Sequence, residues 1–184
     1  MGGHHLILGK IDDFITGEVL ADTHDERYRQ KIARILVTDK GYAKADIHPR
    51  NPLIVAAGNR KGHLWVDFTV TVDDRTAMVV KYGPGSLVTR YRPTLAISRL
   101  MAPYQIPVVV VTNGESADIL DGETGKLTAS GFNRIPSRKD LMQQLARVDF
   151  SPISLKRAAM EARIVYAFEI DGSCPCDDAA CRIA

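Results

Sequence analysis

The sequence has no apolar run long enough to cross a membrane. Its longest run, residues 106–111, contains Pro107 and falls far short of the roughly 20 apolar residues of a transmembrane helix. The N-terminal stretch MGGHHLILGK has no long apolar core of the kind found in signal peptides. From these absences we predict a cytoplasmic protein with no membrane partner.

The sequence also lacks a large excess of charge of one sign, and it lacks the glycine-rich motifs that bind nucleotides. The formal net charge is +2, so any surface that binds nucleic acid must be a local basic patch rather than the whole molecule. The chain contains neither GxGxxG nor a Walker loop, which excludes the usual dinucleotide-binding and P-loop classes.

The composition is otherwise that of an ordinary globular protein. The 184 residues are 45% hydrophobic and 25% charged, enough apolar material for one buried core. We predict a single domain over residues 1–168, followed by a cysteine-containing C-terminal tail over residues 169–184.

Apolar periodicity predicts an alternation of helices and strands. Thr23 and Glu26 form a capping-box pattern ahead of a helix over residues 24–40. Further helices are predicted from near Pro93, over 137–148 and over 154–168, with strands over 52–57, 63–72, 76–82, 107–112, 117–120 and 126–129. This order predicts an α/β fold with a central mixed sheet flanked by helices.

The strand ending in Lys81 has a charged partner across a predicted hairpin. If residues 73–75 form a three-residue loop, Asp67 faces Lys81 with the two Cβ atoms about 5 Å apart. A two-residue loop would turn Lys81 to the other face of the sheet. The pair is either a cross-strand salt bridge or a phosphodiester site, in which the carboxylate binds Mg²⁺ and the lysine stabilises negative charge.

Four segments together resemble a known family. "HDERYRQKIARILVTDKGY", "WVDFTV", "MVVKYGPG" and "IPVVVVTNGESADILDGETGK" follow the order seen in N-terminal domains of type I restriction enzyme R subunits, members of the PD-(D/E)XK nuclease superfamily. The resemblance covers residues 22–126. It implies a restriction-endonuclease-like core, DNA as partner and Mg²⁺ as cofactor, with Asp67 as metal ligand and Lys81 as catalytic lysine. Glu26 would complete the site, unless it serves only as a helix cap.

One residue departs from the family pattern. The tripeptide is Val79-Val80-Lys81, and valine at position 79 cannot bind a metal, whereas the family has an acid there. Two interpretations stay open. The acid has moved elsewhere, with Glu26 and Glu18 as candidates, and the protein is a metal-dependent DNA nuclease. Alternatively, nuclease activity is lost or altered and the domain binds DNA.

Three arginines follow the candidate site in the sequence. Arg90, Arg92 and Arg99 lie close together in the chain, and arginine is well suited to phosphate contacts. We predict that they bind nucleic acid, with an ordinary solvated helix face as the alternative.

All three cysteines lie in the C-terminal tail. Cys174, Cys176 and Cys181 form a dense thiol group that is typical of zinc or iron–sulfur sites. The alternative is a reduced, redox-sensitive tail, which would suit a metal- or redox-responsive interaction protein without a DNA partner. The last helix, with Met160, Ile164, Tyr166 and Phe168, is a candidate homodimer face, or else it packs on its own core.

Overall fold

In the computed structural model, which describes residues 6–171 and 180–183, a twisted sheet lies between two layers of helices. The strands are β1 (Gly9–Asp12), β2 (Val19–Asp22), β3 (Ile47–Ala57), β4 (Arg60–Val72), β5 (Arg75–Tyr82), β6 (Val108–Thr112), β7 (Ala117–Asp121), β8 (Leu127–Ser130) and β9 (Ala180–Ile183). The helices are α1 (His24–Arg34), α2 (Val88–Ser98), α3 (Arg138–Leu145) and α4 (Leu155–Val165). In the part of the chain that the structure describes, no helix has the length and apolar character needed to cross a membrane.

The sheet is mixed, as predicted. Its order is β3-β4-β5-β6-β7-β8, and β9 also pairs with β4. The β5 and β6 strands are parallel, while the other neighbouring strands are antiparallel. The predicted α/β class with a central mixed sheet and flanking helices is therefore confirmed.

Two apolar clusters lie on the two faces of the sheet. One contains Phe68, Met78 and Val80 packed beneath α1 and α3. The other contains Val79 and Val66 packed beneath α2 and α4. Because β5 contributes alternate residues to both clusters, it is covered on both faces and forms the centre of the domain.

The predicted first helix is confirmed. The Thr23 hydroxyl accepts a hydrogen bond from the Glu26 amide at 3.1 Å, which satisfies one of the free amides of the first turn. A π-helical turn at Ile35–Asp39 extends α1, so the helical segment ends one residue before the predicted end at residue 40.

The β4–β5 hairpin differs from the prediction in its turn. Val72 pairs with Arg75, so the loop has two residues and the predicted three-residue loop is wrong. Asp73 and Asp74 both have positive φ, 50° and 61°, as expected for the type I′ turn that matches the twist of a hairpin.

A β-bulge then restores the predicted register. Thr71 pairs with Thr76 but Val70 pairs with Met78, so Ala77 is an extra residue in β5. From the bulge onward Phe68 lies opposite Val80, which is the register that the longer loop would have produced.

The second helix begins earlier than predicted. It starts at Val88 and runs through Pro93 to Ser98, so the predicted start near Pro93 is wrong. Proline inside a helix removes one backbone hydrogen bond, but residues 93–98 are all buried, and their packing holds the helix together across the proline.

Two features of the structure, the β1–β2 hairpin and the strand β9, were not predicted. The β1–β2 hairpin forms a separate two-stranded sheet. In the predicted tail, β9 pairs with residues 61–64 of β4, where a side chain on Gly62 would lie 2.9 Å from the Cys181 carbonyl oxygen. The glycine at this position therefore lets β9 approach β4.

The last helix packs largely on its own domain. Tyr166, in the π-helical turn Tyr166–Ile170 that extends α4, is 2% exposed and lies in the apolar cluster under α4. Met160 and Phe168 are 54% and 62% exposed. The assignment of Tyr166 to a dimer face is therefore wrong, and the homodimer remains a prediction that involves the exposed side chains.

Candidate functional site

Asp67 and Lys81 form a buried ion pair where β4 and β5 lie side by side. The Lys81 Nζ is 3.1 Å from Asp67 Oδ2. The two residues are 4% and 7% exposed. The structure therefore brings the two predicted residues together, in the interior of the protein.

A second cation, Arg29 of α1, contacts the other oxygen of the same carboxylate. Arg29 Nε donates to Asp67 Oδ1 at 2.5 Å, and the Tyr82 amide donates to Asp67 Oδ2 at 2.9 Å. Both oxygens of Asp67 are thus held by charged or backbone donors. Arg29 was missed in the sequence, although it lies one helical turn after Glu26, on a neighbouring part of the α1 surface.

These contacts decide the charge state of the buried carboxyl. Burial alone would raise the pKa of Asp67, but the positive charges of Lys81 and Arg29 and the Tyr82 amide hold that pKa below its usual value. Burial lowers the pKa of Arg29, whereas Asp67 and then Glu26 raise it by a larger amount. The carboxylate and the guanidinium are therefore both charged at neutral pH.

Glu26 reaches the site only through Arg29. Its Oε2 is 3.7 Å from Arg29 Nη1, and its Oε1 accepts a hydrogen bond from Gln30 at 2.7 Å. Arg29 thus contacts both Glu26 and Asp67, the two acids expected to share a metal. The helix cap uses the Glu26 backbone amide, so the side chain is left for these partners.

The other candidate acid is not part of this cluster. Glu18 is an exposed residue whose carboxylate contacts Arg50 at 2.7 Å. An acid missed in the sequence, Glu169 of the π-helical turn after α4, lies 3.9 Å from Lys81 Nζ. It could not be predicted, because its distance from Lys81 in the chain hides their contact in the fold.

A polar chain runs through the domain as a result. Gln30 Nε2 lies 3.3 Å from Asp13 Oδ2, which links the N-terminal hairpin to α1. The linked residues, in spatial order, are Asp13, Gln30, Glu26, Arg29, Asp67, Lys81 and Glu169. These contacts join β1–β2, α1, the sheet and the segment after α4.

The residues around Asp67 do not fit Mg²⁺. Magnesium requires several oxygen ligands in octahedral geometry. Asp67 already accepts from Arg29, and Val79 is fully buried in an apolar cluster. Within residues 6–171 and 180–183, no group of three or more His, Cys, Asp or Glu side chains is placed to hold a metal ion.

The three predicted nucleic-acid-binding arginines separate into two places. Arg92 and Arg99 both contact Glu161, at 2.5 and 2.8 Å. Arg90 instead packs over Gly83, where a Cβ would lie 2.3 Å from its guanidinium carbon. The Gly83 position in the GPG turn is therefore explained by the close approach of Arg90.

The cysteine group lies mostly outside the described residues. Cys174 and Cys176 fall within the undescribed segment, whereas Cys181 is an exposed residue of β9. The predicted zinc or iron–sulfur site is therefore a prediction about a segment that the structure does not describe.

Comparison with known proteins points to one family. A family model described as type I restriction enzyme R protein N terminus matches residues 24–136. That segment begins with α1 and includes Arg29, Asp67, Val79 and Lys81. Searches of curated proteins and of solved structures found no match.

Proposed function

Because this chain belongs to the family of type I restriction enzyme R protein N-terminal domains, we propose that it is a DNA-binding domain without metal-dependent nuclease activity at Asp67. One observation carries the proposal. The Arg29 guanidinium contacts both Asp67 and Glu26, so a permanent positive charge lies between the two acids expected to hold Mg²⁺.

The cations at the site oppose metal binding in two ways. A guanidinium stays protonated at all physiological pH values, so its charge repels a divalent ion beside Asp67. Metal binding would also remove Asp67 as the counter-charge of Arg29 and Lys81, both of which are largely buried. Leaving a buried charge without its partner typically costs about 3–5 kcal/mol.

Asp67 therefore has a structural role in this proposal. It joins α1 to the ends of β4 and β5 through Arg29, Lys81 and the Tyr82 amide. The family fold is kept, while the charges that would serve hydrolysis neutralise one another.

A second candidate function is a Mg²⁺-dependent DNA endonuclease or exonuclease with a displaced acid. The specific observation in its favour is that Glu26 and Glu169 each lie beside one of the two cations that hold Asp67. This function requires Arg29 to leave Asp67 when DNA binds, so that Asp67 and Glu26 become free to share a metal.

The first prediction concerns DNA binding and cleavage by the full chain. A fluorescently labelled duplex should bind with a dissociation constant of about 1–100 µM at physiological salt, as for non-specific DNA binding. Mg²⁺ should not raise the affinity above its value in EDTA, because no metal joins the protein to the DNA, and the DNA should stay intact. Fluorescence anisotropy measures the affinity, and denaturing gels measure the cleavage.

Two variants separate the candidate functions. Mg²⁺-dependent cleavage that disappears in Lys81→Met but persists in the exposed control Lys139→Met would establish the nuclease and refute the proposal. Circular dichroism checks that Lys81→Met is folded. Absence of DNA binding by the wild-type chain would refute the other part of the proposal, that the domain binds DNA.

A further inference from the structure

A cleft of about 640 Å³ opens between α2, α4 and the turn after β7. It is separate from the Asp67 cluster. Among the residues that the structure describes, its lining contains four cationic side chains and one carboxylate, together with small and apolar residues. The charged members are Arg92, Arg99, Lys156, Arg157 and Glu161.

Glu161, the one carboxylate among the described lining residues, is shared by three arginines. Its side chain is 3% exposed and lies 2.5 Å from Arg92, 2.8 Å from Arg99 and 3.5 Å from Arg157. One negative charge therefore faces three guanidinium groups. No described residue forms an ion pair with Lys156, which adds a fourth positive charge.

The arginines differ in how many of their donors are used. Arg99 is buried and also donates to Gln105 at 3.0 Å and to the Glu123 carbonyl at 2.9 Å. Its guanidinium is therefore held in place at the base of the cleft. The side chains of Arg92 and Arg157 are 45% and 50% exposed. Each guanidinium carries five N–H donors, so both have donors left for a ligand.

The start of α4 adds to the positive potential. Ser154 caps the helix by accepting from the Arg157 amide at 3.3 Å, and the first turn contains no acid. The N-terminus of a helix is itself partly positive, and cations there cost about 0.3–1 kcal/mol. Lys156 and Arg157 in this turn are unfavourable for the helix alone and suit an anion bound beside it.

The pKa of Arg99 is lowered mainly by burial, and two neighbouring arginines, Arg157 and Arg92, act in the same direction, against the opposite effect of Glu161. In the Asp67 cluster, by contrast, the neighbouring carboxylates raise the pKa of Arg29. Arg99 therefore has two neighbouring cations and one carboxylate, whereas the partly exposed Arg29 lies beside the carboxylates of Asp67 and Glu26.

We propose that the α2–α4 cleft binds a phosphate group through Arg92, Lys156 and Arg157. Phosphate oxygens match the fork of the guanidinium donors, and the lysine supplies a point charge. The phosphate comes either from a DNA strand, in which case the inference rests on the proposed DNA binding, or from a free phosphate compound.

The test uses a double variant in the full chain. Lys156→Gln with Arg157→Gln, called the rim variant, removes the two cations that α4 contributes to the edge of the cleft. It leaves Glu161 paired with Arg92 and Arg99, so the fold should be kept. Lys139→Gln with Arg163→Gln is the matched control, because it removes two exposed cations elsewhere. The probes are a duplex with 5′-phosphate ends, the same duplex with 5′-hydroxyl ends, and inorganic pyrophosphate.

The rim variant should weaken DNA binding about tenfold relative to the control. The slope of log affinity against log salt should fall by up to about 1.8, because each lost phosphate contact contributes about 0.9. Preference for the 5′-phosphate duplex indicates a strand end as the source, whereas equal binding of both duplexes indicates the strand interior. Pyrophosphate should compete with DNA and raise the melting temperature of wild-type protein but not of the rim variant.

Failure of this inference can be told from failure of the proposed function. If wild-type protein binds DNA and the rim variant matches the control with every probe, the cleft is not a phosphate site, although the DNA-binding proposal stands. If pyrophosphate binding depends on the rim cations but no DNA binds, the cleft proposal stands and the DNA-binding proposal fails. If no probe binds wild-type protein, both are wrong.

Discussion

Replacing Asp67 with asparagine should lower the free energy of unfolding by about 3–5 kcal/mol at pH 7. The substitution keeps the size of the side chain but removes the negative charge that faces Lys81 at 3.1 Å and Arg29 at 2.5 Å. Glu26 and Glu169 remain, but at 3.7 and 3.9 Å from these cations. They compensate only in part. Urea denaturation followed by circular dichroism measures the change.

A second carboxylate provides a control that differs mainly in exposure. Asp171 also contacts two cations, Arg60 at 2.8 Å and Arg182 at 2.9 Å, but its side chain is 29% exposed. Asp171→Asn should cost less than about 1 kcal/mol, as exposed ion pairs do. Equal losses in Asp67→Asn and Asp171→Asn would mean that burial does not govern the strength of the Asp67 cluster.

The cost of Asp67→Asn should also depend on pH. The folded pKa of Asp67 is held below its usual value of 3.8, so the native state binds fewer protons than the unfolded chain. Its contribution to stability is present above that value and is lost as the pH falls through the folded pKa. The gap between wild type and variant should be constant above about pH 5 and close in stronger acid. A gap that widens with acid would contradict the assigned charge state.

Replacing Glu161 with glutamine should have two opposite effects. Stability should fall by about 3–5 kcal/mol, because Arg99 would then be buried among cations without a counter-charge. Phosphate affinity in the α2–α4 cleft should rise, since the one carboxylate of the lining is removed. At an intermediate distance between the carboxylate and the phosphate, and an intermediate dielectric constant, removal of this repulsion favours binding by about 1 kcal/mol, which is a roughly fivefold gain in affinity.

Both effects can be measured on the same samples. Calorimetric titration with pyrophosphate, at a temperature where the variant is folded, gives the affinity, and urea denaturation gives the stability. Glu115→Gln removes an exposed carboxylate outside the cleft, and it should change stability by less than about 0.5 kcal/mol. Weaker pyrophosphate binding by Glu161→Gln than by the control would show that the ligand does not occupy this cleft.

Local sequence patterns predicted most of the elements. The alternation of β4, the apolar run of β6 and the Thr23 cap are short-range features, and each appears in the structure as expected. The prediction for the start of α2 is wrong because proline is common at the first helical position, whereas in this helix the burial of residues 93–98 outweighs the cost of an internal proline. Pairing of β9 with β4 joins residues about 120 apart, which no local pattern reveals.

The candidate site was predictable only in part for the same reason. Asp67 and Lys81 could be paired, because hairpin register is set by nearby residues. The cations and acids that decide their chemistry, Arg29 and Glu169, come from α1 and from the segment after α4. Their approach depends on how helices pack on the sheet, so the sequence left open whether Asp67 forms a salt bridge or binds a metal.

The short turn and the bulge of the β4–β5 hairpin have a consequence for how this hairpin can vary. The turn is one residue shorter than a three-residue loop, and Ala77 adds one residue back, so the length of the hairpin is unchanged. Losing Ala77 would remove the bulge and leave Lys81 opposite Asp67, because every later residue of β5 keeps its present partner. A hairpin of the same length without the bulge needs the three-residue turn, because regular pairing beyond the two-residue turn would place Val80 instead of Lys81 opposite Asp67.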